Sequence, residues 1–295
     1  MPAKAGADTL EIMAISGPRI RAEIVLNMRF LIPAIGLIFC LAAPASAKGE
    51  QSQSRVRILL VGNSLTYTNN LPAFIAEMLS ADNRVAGVQV DMLAEGGAQL
   101  GDWAANGRLA DALTRRQYDV VVLQEQGGRV SCAAEVASRV SKSCDRVIDE
   151  HRVLATQVKT AGARLLYLGT YQPDPEYSME LVKAEYWVAD HIGAEYVEVS
   201  ETLRRTQSRS SSTKWFNPDG MHPGPMLTAL MAVKIFRVIE GGYPQAMTVC
   251  LGAPLYTPSA KFIELVEYRP RVGVGEASCV VDSVELDEVI RGDIQ

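Results

Sequence analysis

Three residues of this sequence carry the side chains that nucleophilic catalysis requires. Ser64 comes directly after an apolar, β-branched run over residues 56–61 and a short Gly-Asn turn. Asp219 and His222 lie in one loop framed by proline and glycine, far downstream. A serine hydroxyl becomes a nucleophile when a base takes its proton, and the base needs a carboxylate to orient it. The three residue types together predict acyl-transfer chemistry on a serine.

Neither motif is specific when it is taken alone. Gly62 and Asn63 suit a tight turn, because glycine permits and asparagine tolerates unusual backbone angles. The serine is surrounded by neither a G-x-S-x-G elbow nor a glycine-rich phosphate loop with its lysine. Of the three histidines, His151 and His191 fall in predicted helices among charged residues and are expected to be surface or boundary residues. His222 is therefore the candidate base.

The elements that must position these residues follow from the apolar runs of the chain. Five short runs rich in β-branched residues predict strands over residues 56–61, 88–93, 120–123, 165–168 and 196–199. Segments of helical spacing or composition cover residues 72–80, 109–117, 133–160, 179–192 and 226–240. This alternation predicts a parallel sheet with helices on both faces, which is a three-layer α/β/α sandwich. In such sheets ligands bind beyond the carboxyl ends of the strands, and Ser64 lies at one of these ends.

The composition excludes several classes of protein. The 295 residues are 48% hydrophobic and 21% charged, an ordinary globular balance that can bury a sizeable core. The net charge is −5 and the arginine pairs are isolated, so no basic patch indicates a nucleic-acid partner. The sequence has no internal repeat, which argues against a solenoid.

The segment over residues 28–47 has the regions of a secretory signal peptide. A basic start, Met28-Arg29, precedes an apolar run over residues 30–43 and a small-residue site that ends at Ala47. The run is shorter than the roughly 20 residues that a membrane-spanning helix needs. We therefore expect cleavage after Ala47, a periplasmic or secreted protein, and no stable membrane span afterwards. An uncleaved N-terminal anchor is the alternative.

Four cysteines follow the leader. An even number of cysteines in an exported chain predicts disulfides. The local pairs Cys132–Cys144 and Cys250–Cys279 are favoured among the possible connectivities, with buried free thiols as the alternative. Metal ligation is disfavoured, because neither pair has C-x-x-C spacing and no histidine lies beside them.

Two blocks of the sequence resemble those of SGNH (GDSL-like) hydrolases and stand in the order of that family. Gly62-Asn63-Ser64-Leu65 is similar to the opening block, with asparagine in place of the usual aspartate. Asp219-Gly220-Met221-His222-Pro223 is similar to the closing Asp-x-x-His block. The resemblance covers residues 56–242. It implies the flavodoxin-like fold of the family, with a five-stranded parallel sheet and a Ser-His-Asp triad made by these two blocks.

Two intermediate blocks of that family supply the oxyanion hole, together with the backbone N–H of Ser64. The glycine that follows the second strand corresponds best to Gly97, with Gly96 as the alternative. The asparagine usual after the third strand is absent. By register Gln126 replaces it and can donate the same hydrogen bond, with Gln124 as the alternative. The departure is similar to an SGNH subgroup with a glutamine-containing third block.

The resemblance implies an exported carboxylic ester hydrolase that needs no metal or organic cofactor. Its expected substrates are small-molecule or carbohydrate esters, with short-chain or O-acetyl groups favoured. A lipase or lysophospholipase-like esterase is the second interpretation, and a non-catalytic carbohydrate-binding module on the same fold is the third. Loss of a triad residue would favour the third, and none is lost. A phosphatase or nuclease is disfavoured, since neither a phosphate-binding lysine nor a carboxylate cluster accompanies the serine.

Three further residues are candidates for substrate contact. Gln124 and Tyr171 follow the third and fourth predicted strands and should face the cleft. Trp215 precedes the Asp-His loop, where it either shapes a pocket or clamps the loop. The oligomeric state stays open. The predicted organisation is a leader (1–47, with the signal peptide at 28–47), a hydrolase domain (55–242) and a C-terminal extension packed on it (243–295).

Overall fold

A computed structural model describes residues 54–82, 85–172, 174–210, 212–269 and 277–294. The predicted signal peptide and its cleavage site lie outside these residues. Eight strands are present in the described part of the chain: β1 (Ser54–Gly62), β2 (Val85–Ala94), β3 (Val120–Gln124), β4 (Arg164–Leu168), β5 (Glu195–Val197), β6 (Val249–Leu251), β7 (Val266–Tyr268) and β8 (Ser278–Val281). Six of them form the central sheet in the order β5-β4-β3-β1-β2-β7, and β6 pairs with β8 in a separate sheet.

Ten α-helices are found over the same residues. They are α1 (Ser64–Tyr67), α2 (Leu71–Ser80), α3 (Leu100–Asn106), α4 (Arg108–Arg115), α5 (Val136–Arg139), α6 (Lys142–Thr160), α7 (Pro175–Ile192), α8 (Ser200–Gln207), α9 (Pro225–Glu240) and α10 (Ser283–Ile294). A 3-10 turn, Ser131–Ala134, precedes α5. The single helix predicted over residues 133–160 is therefore interrupted. Ser141 starts α6 anew, because its hydroxyl accepts the N–H of Cys144 at 3.3 Å.

The five predicted strands form the expected parallel sheet. β1 pairs in parallel with both β2 and β3, and β4 and β5 continue the sheet on the β3 side. Successive strand residues point to opposite faces. Ile58 and Leu60 therefore join the core beneath α2 and α9, whereas Leu59 and Val61 join the core beneath α3, α6 and α7. The prediction of a three-layer α/β/α sandwich is confirmed.

The segment after residue 242 adds a sixth strand that the sequence did not predict. β7 pairs antiparallel with β2 at the edge of the central sheet. Leu286 and Val289 of α10 are buried in the same core as α2 and α9. The C-terminal segment thus contributes both to the sheet and to its core, and the division at residue 242 remains a sequence-based prediction.

Both disulfides favoured by the cysteine spacing are present. Cys132–Cys144 joins the 3-10 turn to α6, and Cys250–Cys279 joins β6 to β8. Such bonds persist in oxidising compartments. The two disulfides are therefore compatible with an extracellular or periplasmic location. Over the described residues, no helix combines the length and the apolar character that crossing a membrane requires.

His151 corrects one expectation about the surface. It lies on α6 and is fully buried, with its Nδ1 atom 2.7 Å from the carbonyl oxygen of Val147. Burial lowers the pKa of His151 to about 4, so the imidazole is neutral at pH 7. His191, by contrast, is exposed as predicted, and its ring stacks on Trp187.

Candidate active site

The serine turn is built around the side chain of Asn63. Ser64 is the first residue of α1, directly beyond the carboxyl end of β1. The Asn63 side chain accepts the N–H of Leu65 at 3.0 Å and donates through Nδ2 to the carbonyl oxygen of Ala98 at 3.0 Å. An ionised aspartate can only accept hydrogen bonds, so it could not make the second contact. Asn63 therefore both shapes the turn and joins it to the loop after β2.

The position of Gly62 has no room for a side chain. A Cβ atom at this position would lie 2.3 Å from Thr66 Oγ1 and 2.7 Å from Gln124 Oε1. These two atoms are themselves hydrogen-bonded at 2.8 Å. The tight turn predicted here thus depends on the absence of a side chain at Gly62, which lets the loops after β1 and β3 approach each other.

Ser64, His222 and Asp219 are joined by two hydrogen bonds. Ser64 Oγ lies 2.9 Å from His222 Nε2, and His222 Nδ1 lies 2.7 Å from Asp219 Oδ2. The other oxygen of Asp219 accepts the backbone N–H groups of His222 and Met221, each at 2.9 Å. The hydrogen bond from the His222 N–H is the main cause that lowers the pKa of Asp219, and Met221 and the imidazole add to it. The ionised carboxylate holds the proton of the neutral imidazole on Nδ1, which leaves Nε2 as an acceptor for the serine hydroxyl.

The Asp-His loop is a short hairpin that ends where α9 begins. Asn217 N–H donates to His222 O at 3.0 Å, and Gly220 turns the chain with a φ of +70°. At Gly224 a Cβ atom would lie 2.2 Å from the carbonyl oxygen of Lys214. The loop is therefore closed by backbone contacts that leave no room for a side chain at Gly224.

Asn69, which the sequence analysis did not single out, ties the serine segment to the Asp-His loop. The carbonyl oxygen of Pro223 accepts hydrogen bonds from the side-chain amides of Asn69 and Asn217. Asn69 has a φ of +57°, in the left-handed region that asparagine adopts more readily than most residues. Two successive asparagines, Asn69 and Asn70, just before a helix with proline in its first turn were the available signal in the sequence.

The structure corrects the substrate contacts predicted for Tyr171 and Trp215. Tyr171 is buried, donates through Oη to the carbonyl oxygen of Met221 at 3.0 Å and packs against the ring of Phe216. Trp215 is also buried, and its carbonyl oxygen accepts the N–H of Gly224 at 2.8 Å. Neither ring is open to a substrate, and both residues hold the Asp-His loop from beneath. For Trp215 this corresponds to the clamp that was the alternative interpretation.

Gln124 is likewise unavailable to a substrate. Its side chain is buried at the end of β3, and its Oε1 atom accepts from Thr66 Oγ1 at 2.8 Å and from Asn63 N–H at 3.3 Å. Its Nε2 atom donates to the carbonyl oxygen of Glu125. The predicted substrate contact of Gln124 is therefore wrong. Burial and these contacts also remove it as the alternative oxyanion donor.

Gln126 and the two glycines lie at the same edge of the sheet, in the loops after β3 and β2. Gln126 is exposed, and its Oε1 atom accepts a hydrogen bond from Gln99 Nε2 at 2.8 Å. Gly97 has a φ of +74° and open space around it, whereas a Cβ atom at Gly96 would lie 3.0 Å from the Tyr67 hydroxyl. Gln126 and Gly97 are thus both exposed in loops at the edge of the sheet where Ser64 lies.

A buried carboxylate that the sequence analysis missed connects these two loops. Glu125 is 1% exposed, and its Oε1 atom accepts the N–H groups of Gln126 at 2.6 Å and Leu100 at 3.2 Å. Burial is the main cause that raises the pKa of Glu125 to about 7. His151 Nε2 lies 3.6 Å from Glu125 Oε2. A charged residue directly after a buried apolar strand was the signal in the sequence.

Among the described residues, no group of three or more histidine, cysteine, aspartate or glutamate side chains has an arrangement that could hold a metal ion. No protein-family model matches the sequence, and no curated protein matches it.

Solved structures that are similar to this chain include esterases. A tryptophan-to-isoleucine variant of the acetyl xylan esterase Axe2 from Geobacillus stearothermophilus is similar over 66% of this chain and 98% of that chain, with 13% sequence identity and a TM-score of 0.51. A DUF4886 family protein from Bacteroides uniformis covers 64% of this chain and 84% of its own, at 13% identity and a TM-score of 0.49. The psychrotrophic esterase EstA from Pseudoalteromonas sp. covers 63% and 97%, at 15% identity and a TM-score of 0.45.

At these identities the likeness concerns the fold alone. The protein has a three-layer α/β/α fold that is similar to that of the acetyl xylan esterase, and Ser64, His222 and Asp219 are assembled at the carboxyl edge of its parallel sheet.

Proposed function

We propose that this protein is an exported carboxylic ester hydrolase in which Ser64 is the nucleophile, His222 the general base and Asp219 the carboxylate that orients the base. The observation that carries the proposal is the pair of hydrogen bonds from Ser64 Oγ through the imidazole to Asp219, at 2.9 and 2.7 Å. Distances of 2.6–3.2 Å are those at which a base can take the proton of a nucleophile.

The reaction begins when Ser64 Oγ attacks the carbonyl carbon of the ester and His222 Nε2 takes the hydroxyl proton. The imidazolium, stabilised by Asp219, then gives this proton to the leaving alcohol, and the acyl group remains on Ser64. In the second half, His222 takes a proton from water, which attacks the acyl carbon. The carboxylic acid leaves and the serine recovers its proton.

The negative charge of the tetrahedral intermediates requires donors on the opposite side of the carbonyl. We assign this role to the N–H groups of Ser64 and Gly97 and to the side-chain amide of Gln126. Ser64 begins a helix, where the first N–H groups have no intrahelical acceptor. Gly97 and Gln126 are exposed in the loops after the two strands that flank β1. Removal of one such donor typically lowers kcat about 100- to 1000-fold.

We infer short-chain acyl esters as substrates, with O-acetyl groups of carbohydrates favoured. The support is the shared fold with an esterase whose name gives acetyl xylan as its substrate. Two disulfides within the described residues support export to the periplasm or beyond the cell. The assembled triad favours catalysis over a non-catalytic carbohydrate-binding module. A glutamine at the third block, as in the subgroup that the sequence resembles, is compatible with this role because an amide NH2 is the required donor.

The proposal is tested by hydrolysis of p-nitrophenyl acetate and p-nitrophenyl octanoate, with Ser64→Ala as the comparison. The full chain is expressed with export to an oxidising compartment so that both disulfides form. We expect activity on the acetate that exceeds activity on the octanoate and that disappears with Ser64→Ala. Equal activity of the two proteins would exclude the triad. A preference for octanoate would instead support the lipase-like interpretation.

A further inference from the structure

The side-chain amide of Gln126 has two ends of nearly equal size and opposite chemistry. Only its NH2 end can donate to an oxyanion, whereas its oxygen end would repel one. An exposed glutamine on a loop has nothing in its own covalent structure that selects between the two orientations. The choice must be made by a neighbour.

Gln99 is the neighbour in contact with this amide. Its Nε2 atom donates to Gln126 Oε1 at 2.8 Å, which occupies the oxygen end of the amide and leaves the NH2 end available. Gln99 lies in the loop after β2 and Gln126 in the loop after β3, so the contact crosses the edge of the sheet on which Ser64 lies.

Hydrogen bonds fix the backbone at Gln99 and at the next residue, and they thereby fix the position from which the Gln99 side chain reaches Gln126. Its own N–H donates to Asp102 Oδ2 at 2.8 Å, at the start of α3. On the next residue, the N–H of Leu100 donates to Glu125 Oε1 at 3.2 Å, and the same oxygen accepts the N–H of Gln126 at 2.6 Å. One buried carboxylate therefore fixes the distance between the backbones that carry the two glutamines.

The serine turn is joined to the same arrangement. The carbonyl oxygen of Ala98, directly before Gln99, accepts from Asn63 Nδ2 at 3.0 Å. A movement of the loop that carries Gln99 would therefore disturb both its contact with Gln126 and its contact with Asn63, the residue before Ser64.

We propose that Gln99 is a positioning residue that fixes the orientation of the Gln126 amide, with its NH2 group towards the reacting carbonyl oxygen. This inference rests on the proposed function, and it deepens the role of the oxyanion hole. Gln99 itself does not touch the substrate. It acts by occupying the one atom of Gln126 that would oppose the developing charge.

Reversal of the hydrogen-bonding character at position 99 tests the proposal. Gln99→Glu offers acceptors only, so the Gln126 amide must turn its NH2 group towards the new carboxylate and its oxygen towards the ester. Gln99→Lys keeps a donor and preserves the orientation. We expect kcat for p-nitrophenyl acetate to fall about 10- to 100-fold in Gln99→Glu, with KM within about threefold. In Gln99→Lys, kcat stays within about threefold of the wild-type value.

The charges alone could produce the same difference without any effect on Gln126, because a negative charge at position 99 disfavours the oxyanion and a positive charge favours it. A second background is therefore needed. Both variants are therefore also made with Gln126→Ala. If Gln99 acts through Gln126, the difference in kcat between the two charged variants becomes much smaller in this background. A difference between them that persists unchanged would overturn the proposal in favour of a direct charge effect. Thermal unfolding of every variant identifies any loss of fold.

The failure of this inference is distinguishable from failure of the proposed function. If Ser64→Ala keeps full activity, the proposed function is wrong. If Ser64→Ala is inactive while Gln99→Glu and Gln99→Lys both have the wild-type kcat, the proposed function stands and the role of Gln99 is wrong.

Discussion

The side-chain amide of Asn69 donates a hydrogen bond to the carbonyl oxygen of Pro223, the residue after His222. Asn69 follows the short helix that Ser64 begins, so this contact joins the segment that carries the serine to the loop that carries the histidine. The 2.9 Å distance between Ser64 Oγ and His222 Nε2 thus has a support outside the three proposed catalytic residues.

Replacement of Asn69 by glycine tests this support without straining the backbone. Glycine accepts the φ of +57° at this position but lacks the amide, so the carbonyl oxygen of Pro223 loses one of its two side-chain amide donors. We expect Asn69→Gly to lower kcat about tenfold while the unfolding temperature changes by only a few degrees. Asn69→Asp is the matched variant, because an ionised carboxylate cannot donate to a carbonyl, and it should lose at least as much. Wild-type kcat in both variants would contradict the role of this contact.

Asp219→Asn should act through the imidazole tautomer. The asparagine can present its NH2 group to His222 Nδ1, which would place the imidazole proton on Nε2, facing the serine hydroxyl. An Nε2–H cannot accept the proton of Ser64, so we expect kcat to fall by about 1,000-fold or more with little change in KM. Steady-state kinetics on p-nitrophenyl acetate measure this directly. A loss of less than tenfold would show that the carboxylate does not orient the base.

Glu125 makes the stability of the fold depend on pH. Burial raises its pKa from 4.5 to about 7, so the folded protein binds this proton more tightly than the unfolded chain does. The contribution is therefore fully present below about pH 4.5 and is lost as the pH rises through about 7.

Glu125→Gln should remove this dependence while it keeps an oxygen that can accept a backbone N–H. We expect the difference in the free energy of unfolding, variant minus wild type, to become more positive by about 2–3 kcal/mol between pH 5 and pH 8. Chemical denaturation at the two pH values measures it. Because Glu185, a second buried glutamate with a raised pKa, is present in both proteins, the comparison isolates Glu125. A difference that is constant with pH would be inconsistent with a protonated Glu125.

Two glycines provide a matched test of the packing beneath the Asp-His loop. Gly224→Ala would bring a Cβ atom within 2.2 Å of the Lys214 carbonyl oxygen, so the loop or α9 must shift. We expect a loss of about 1–3 kcal/mol in stability and a lower kcat. At Gly242 a Cβ atom would have nothing within 4 Å. Gly242→Ala should therefore change the stability by less than about 0.5 kcal/mol and kcat by less than about twofold. Equal effects of the two substitutions would contradict the close approach at Gly224.

The parts of the structure that the sequence predicted are those with a strong local pattern. Each parallel strand is a short apolar run, because a strand covered on both faces needs apolar side chains on both. β7 lacked such a signal. It is a three-residue strand at the sheet edge, and its antiparallel pairing with β2 depends on how the C-terminal segment returns to the sheet.

The burial of His151 could have been predicted from the helical periodicity of α6, but the charged residues beside it favoured a surface position. The buried residues of α6 recur at helical spacing, and His151 occupies one of these positions: Cys144, Val147, Ile148, His151, Leu154, Ala155 and Val158. The charged neighbours of His151 suggested a surface residue, although Asp149 and Arg152 are exposed while His151 itself is buried. The periodicity was the better guide.

The three proposed catalytic residues could be predicted from the sequence, whereas the contacts of the side chains around them could not. Ser64, Asp219 and His222 were identified because their residue types and loop contexts suit one chemistry. Tyr171 was placed after the fourth strand and Trp215 before the Asp-His loop, but whether an aromatic ring faces the cleft or the core is decided by tertiary packing. The Gln99–Gln126 contact joins loops from different strands, so neither residue alone could reveal it.

Covalent trapping shows whether Ser64 is the nucleophile. The protein is treated with an alkyl p-nitrophenyl phosphonate, which transfers its phosphonyl group to an activated serine, and the modified peptide is identified by mass spectrometry. We expect one phosphonyl group per chain, attached to Ser64, with loss of esterase activity in proportion to labelling and no labelling in Ser64→Ala. Loss of activity with the label on another residue, or equal labelling of the Ser64→Ala protein, would contradict it.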